Sequence, residues 1–128
     1  MAVTADELRR RTKQLAIGIV RLCRSLPPTP EARIIGNQLL RCGTSVGANY
    51  RAVCRARSRA DFISKIGIVV EEADEAVFWL ELLVETGVVP AARVTVLTNE
   101  ANELLAIFGA SQPTAKQNVS GQVFNRQS

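Results

Sequence analysis

Apolar residues recur along this chain at helical spacing, with almost no alternating pattern to compete. Leu8, Leu15, Ile19, Leu22 and Leu26 fall on one stripe of a helix turning 100° per residue. Thr4, with Glu7 three positions on, has the form of a capping box, and Pro27-Pro28 stop the stripe. Thr29-Pro30 reads as N-cap and first residue of a second helix running to about Arg57, since proline's missing N–H costs nothing there. Ser58 and Asp61 form another capping box, with Asp where Glu is usual, and open a third helix to about Thr86, ended by Gly87. Pro90 begins a fourth, with Val94, Leu97, Ala101, Leu104, Leu105 and Phe108 on its stripe and Gly109 at its close. Linkers of two to four residues turn each helix back on its predecessor. The pattern therefore predicts an all-α, antiparallel up-down four-helix bundle over residues 1–110. From Ser111 onward SQPTAKQNVSGQVFNRQS is polar and aperiodic, and residues 111–128 are expected to form a disordered tail.

The second helix sorts into three faces. Ile35, Leu39, Cys42, Val46, Asn49 and Val53 form the core side. Arg33, Arg41, Arg51 and Arg55 lie nearly opposite, with Asn37, Thr44 and Ala48 among them. Between the two runs a stripe of Gly36, Gly43, Gly47 and Cys54. Three mid-helix glycines cost about 3 kcal/mol relative to alanine, which close approach of another helix backbone would offset. That helix belongs either to the same chain or to a neighbouring subunit, so Gly43 and Gly47 are candidate interface residues. Asn49 is expected to be a buried amide that bonds across the bundle and sets its register, with ligand binding as the alternative.

The third helix carries a core stripe of Phe62, Ile66, Val69, Ala73, Ala76, Leu80 and Leu83, and an acidic face of Glu71, Asp74, Glu75, Glu81 and Glu85. Phe78, Trp79 and Leu82 sit among or beside the acids. They read as an interface with another copy of the protein or as a wider core within the chain.

Charge changes the picture more than composition does. Residues 1–65 hold 13 Lys and Arg against 4 Asp and Glu, or +9; residues 66–128 hold 3 against 8, or −5, and the chain nets +4. Arg51, Arg55, Arg57 and Arg59 crowd the second turn with only Asp61 nearby, whereas Arg41 stands level with Glu75 across it. Arg41, Arg51, Arg55, Arg57 and Arg59 are thus candidates for anion or nucleic-acid contact, with Arg9, Arg10, Arg11 and Lys13 able to join from the first helix. The competing reading is a solvated face paired with acids. Tyr50 is the only aromatic near the stripe, so contact with phosphates is favoured over base stacking.

Catalysis finds little support. There is no histidine, which removes the commonest general base and metal ligand. Cys23, Cys42 and Cys54 have neither CxxC spacing nor an even count, so no disulfide framework or zinc site is expected. No catalytic residue, metal, cofactor or small-molecule substrate is assigned. Without a signal-peptide pattern or a membrane-length apolar run, a cytoplasmic protein is expected.

The stretch SVGANYRAVCRARSRADF, followed by EEADEAVFWLELL, resembles the four-helix bundle family of 23S ribosomal RNA intervening sequences, which includes the accessory variability determinant of diversity-generating retroelements. The match covers roughly residues 5–110, with Ser45, Val46, Asn49, Arg57, Ser58, Asp61, Phe62, Glu75 and Leu80 at matching spacing. One departure is Ala52-Val53, where many members have Glu-Gly. The resemblance implies a homo-pentamer without enzymatic activity. Its retroelement members look like basic barrels that bind nucleic acid and a nucleic-acid enzyme, the reverse transcriptase.

Overall fold

The computed structural model describes residues 2–113. Four helices make up the fold: α1 (Ala5–Arg24), α2 (Pro30–Cys54), α3 (Arg59–Glu85) and α4 (Ala91–Ala110). No strand occurs among the described residues, so the all-α expectation holds. The expected tail is described only at Ser111–Pro113; residues 114–128 lie outside the described residues.

Local chemistry sets most helix ends. Thr4 Oγ1 accepts from Glu7 N at 3.1 Å, Thr29 Oγ1 from Ala32 N at 3.2 Å, and Ser58 Oγ from Asp61 N at 3.0 Å. Each such cap contributes about 1 kcal/mol. α4 starts after Pro90 without a side-chain cap. At the end of α3, Gly87 takes φ 77°, Gly87 N–H donates to Val84 O, and Val88 N–H to Leu83 O. Only glycine adopts that backbone at little cost, and the paired bonds satisfy carbonyls the helix leaves open. α2 stops at Cys54 rather than near Arg57, because Arg55 N and Ala56 N bond back to Ala52 O and Val53 O and tighten the last turn.

Paired contacts fix how the helices run. Moving up α1 and down α2, Thr12 meets Gly47, Ile19 meets Gly43 and Leu26 meets Gly36. Arg11 meets Glu100, Gly18 meets Leu97 and Ser25 meets Arg93 on α4. α1 is therefore antiparallel to both neighbours. Fully buried Leu15, Ile19, Leu39, Ile66, Leu80 and Phe108 fill the space between the four helices.

Two expectations are corrected. The glycine stripe packs against α1 and the turn that follows it in the same chain, which leaves Gly43 buried against Ile19 and Gly47 half-buried against Thr12. A Cβ at Gly47 would lie 3.4 Å from the Thr12 carbonyl carbon, and one at Gly36 would lie 2.8 Å from Leu26 Cδ1. Intrachain packing is what offsets the glycines' propensity cost. Asn49 is only half-buried, and its amide donates to Ser45 O one turn back in its own helix at 2.9 Å, not across the bundle. Tyr50, one position on, enters the core instead, its ring 5.2 Å from that of Phe108.

Candidate functional site

The close approach at Gly47 builds a cleft. With no side chain there, Thr12 drops against α2; Thr12 is itself buried, and its hydroxyl is satisfied by Leu8 O at 2.8 Å. Arg9 and Lys13, one turn apart on α1, then flank this floor from one side, and Arg51 and Arg55, one turn apart on α2, from the other. The cleft holds about 500 Å³ and no carboxylate lines it. Arg9 reaches Asp6 at the rim, a surface pair worth about 0–1 kcal/mol. Lys13, Arg51 and Arg55 have no acidic partner among the described residues.

The remaining arginines divide. Arg57 and Arg59 are exposed at the adjoining turn without ion pairs among the described residues. The one acid there, Asp61, accepts from Lys65 Nζ at 2.9 Å and from the Arg57 backbone N–H at 3.2 Å. Lys65, then the Arg57 N–H, hold its carboxyl below the ordinary value. Arg41 leaves the candidate set: its guanidinium bonds Glu75 at 2.5 Å and lies 3.5 Å from Glu72. Arg11 turns away to α4, where Glu100 takes it at 2.7 and 2.8 Å and Glu103 adds a further bond. These carboxylates, Glu100 first, hold its guanidinium above its usual range. Arg9 and Lys13 are thus the α1 members that reach the cleft, legible in advance only as an i, i+4 cationic pair.

The aromatic trio also divides. Trp79 and Leu82 pack against the chain's own core. Trp79 Nε1 donates at 3.2 Å to the same Glu75 oxygen that takes Arg41. Phe78, 52% exposed, stands edge-on to Trp79 with ring centroids 4.9 Å apart. Tyr50 gives the cleft no stacking surface, being buried; burial, then the neighbouring Cys54, pushes its hydroxyl up to about 12.

The arrangement suits binding of an anion. Arginine forks match phosphate oxygens two at a time, and a water-exposed cleft lets an extended polyanion lie in it. Among the described residues no group of three His, Cys, Asp or Glu is placed to hold a metal ion, and no helix is long and apolar enough to cross a membrane.

Comparison with known proteins bears on this arrangement. The family model of the 23S rRNA-intervening sequence protein matches residues 6–110. Among solved structures, a protein with unknown function from the S23 ribosomal protein family of Bacteroides thetaiotaomicron VPI-5482 superposes with a TM-score of 0.76 at 34% sequence identity. The match covers 83% of this chain and 98% of that one. No curated protein matches.

Proposed function

The chain belongs to the 23S rRNA-intervening sequence protein family, and from that premise we propose that it is a non-catalytic, homo-oligomeric module of the cytoplasm that binds nucleic acid through the α1/α2 cleft. The observation that carries this reading is a cleft in which Lys13, Arg51 and Arg55 converge without a carboxylate. Residues 114–128 contain no Asp or Glu to supply one. Like charges held together repel, and a phosphate chain entering the cleft relieves that repulsion while releasing its own counterions. Backbone contacts of this kind position a nucleic acid without reading its bases, so sequence preference is weak. The family name points to ribosomal RNA as one source of such a ligand.

Self-association rests on different residues. Phe78 exposes apolar surface that a monomer gains nothing by showing to water, and the family resemblance implies a pentamer. A purely structural oligomer is the second reading. The groove between α3 and α4 is lined by Glu81 and Glu85 with no cation, a complement to the basic cleft of another copy.

A gel shift with RNA or DNA, run beside light scattering, separates the two. Replacing Arg51, Arg55 and Arg57 together by Gln abolishes the shift and leaves the particle mass unchanged if the cleft binds nucleic acid. A triple variant that falls to monomers assigns these arginines to assembly.

A further inference from the structure

The α1/α2 groove contains a second basic cleft, at the end opposite the first. It holds about 430 Å³ around the Pro27-Pro28 turn, and its charged lining consists of Arg24 and Arg33, with Asn37 beside them. Both arginines are exposed, and neither has an ion pair among the described residues. Between the two clefts Ala16, Val20, Leu40 and Thr44 line the groove without charge. Elsewhere the sign reverses. Glu81 and Glu85 line the α3/α4 groove, and Glu100 and Glu103 the α1/α4 groove.

Resting on the nucleic-acid reading above, we infer that the ligand is double-stranded and lies along the whole α1/α2 face, gripped by the Arg9–Lys13–Arg51–Arg55 cleft at one end and the Arg24–Arg33 cleft at the other. Eleven residues of α1 separate Lys13 from Arg24, about 17 Å at 1.5 Å per residue. Eighteen residues of α2 separate Arg33 from Arg51, about 27 Å. With a phosphate every 3.4 Å along each strand of a duplex, that interval spans roughly five to eight base steps. A duplex is stiff over far longer distances, so it offers phosphates to both clefts without being ordered first. Proteins that grip a single strand add to a basic groove aromatic rings on which its bases stack, and this face has none to offer. Tyr50 is buried against Phe108, and Phe78 and Trp79 belong to α3. The carboxylates of the α3/α4 groove, and those of the α1/α4 groove beyond what Arg11 neutralises, disfavour a polyanion there and keep the duplex on the α1/α2 face.

Two double variants of the full chain test this, Lys13→Gln/Arg51→Gln at the near cleft and Arg24→Gln/Arg33→Gln at the far one. The readouts are fluorescence anisotropy across a salt series, with a duplex of about 24 base pairs and a single strand of equal length, and light scattering for mass. Each variant removes two phosphate contacts, so each should reduce the slope of log K against log salt by about 1.8 for the duplex. Wild type should bind the duplex at least roughly tenfold tighter than the single strand, as expected when two grips act on one rigid ligand. If the near-cleft variant weakens binding and the far-cleft variant does not, the two-cleft duplex is overturned while the near cleft keeps its role. Equal affinity for the single strand overturns the duplex alone. If neither variant alters binding of any nucleic acid, or both alter only the mass, the proposed function falls as well.

Discussion

An alanine at Gly43 would crowd the Ile19 side chain that α1 lays against α2. Its methyl carbon would press on Ile19 Cδ1 and stand 3.2 Å from Cγ2 and 3.4 Å from Cγ1. Ile19 is fully buried, so swinging its tip aside means repacking the core around it. Overpacking of this kind costs about 1–3 kcal/mol, against about 1 kcal/mol recovered in helix propensity, for a net loss of roughly 0–2 kcal/mol. Gly67 in α3 supplies the reference. A Cβ there meets only Gln112 Nε2 at 3.8 Å, an ordinary contact, so Gly67→Ala should gain about 1 kcal/mol. The difference between the two variants isolates the overpacking, about 1–3 kcal/mol. Urea unfolding at one fixed protein concentration measures it, as a shift in midpoint at constant m-value. A Gly43→Ala protein stabilised as much as Gly67→Ala would refute the close approach. One that folds normally but loses mass would place Gly43 in a subunit contact instead.

Three further outcomes follow from the same structure. Arg11→Gln should lower stability by about 1–3 kcal/mol, because it strips the charged hydrogen bonds from Glu100 where the Arg11 side chain is only 13% exposed; thermal unfolding indistinguishable from wild type would contradict this. Alkylation of the native protein, mapped by mass spectrometry, should label exposed Cys54 first and buried Cys42 only on unfolding, since burial pushes the Cys42 thiol up to about 12; equal rates at the two would overturn the assignment. Asp61 has a folded-state pKa depressed below 3.8 by Lys65 and the Arg57 N–H, so its stabilisation is complete above that value and is lost as pH falls through the folded one. Asp61→Asn should therefore flatten the acid limb of stability against pH, and an unchanged limb would count against the capping geometry.

What could be read from the sequence was what neighbouring residues decide. Thr4, Thr29, Ser58 and Gly87 act on backbone within a few positions, so the helices and most of their ends were legible, as was the family from the pattern around Ser45, Asn49 and Arg57. The glycine stripe was legible as a close approach but not as one with α1, because helical phase shows that something is near and not which helix it is. Asn49 has the phase of a core residue. Its amide found a carbonyl in its own helix at 2.9 Å, and Tyr50, which pairs with Phe108 on α4, took the core place. Arg41 and Arg51 share a face of α2. Only their level along α3 separates an arginine held by Glu72 and Glu75 from one left without an acid, and that level followed from counting across the turn at Ser58. The cleft itself spans two helices. Arg24 and Arg33 line one cleft across the Pro27-Pro28 turn, which no spacing within either helix announces.

Phosphate binding in the cleft is read out by the salt dependence of nucleic-acid affinity for wild type and for the Lys13→Gln/Arg51→Gln/Arg55→Gln protein, with folding checked by circular dichroism. If the cleft grips phosphates, log K falls linearly with log salt, and removing three cations makes the slope shallower by about 2.7 on a duplex. Slopes that coincide, or a wild-type affinity indifferent to salt, would contradict it.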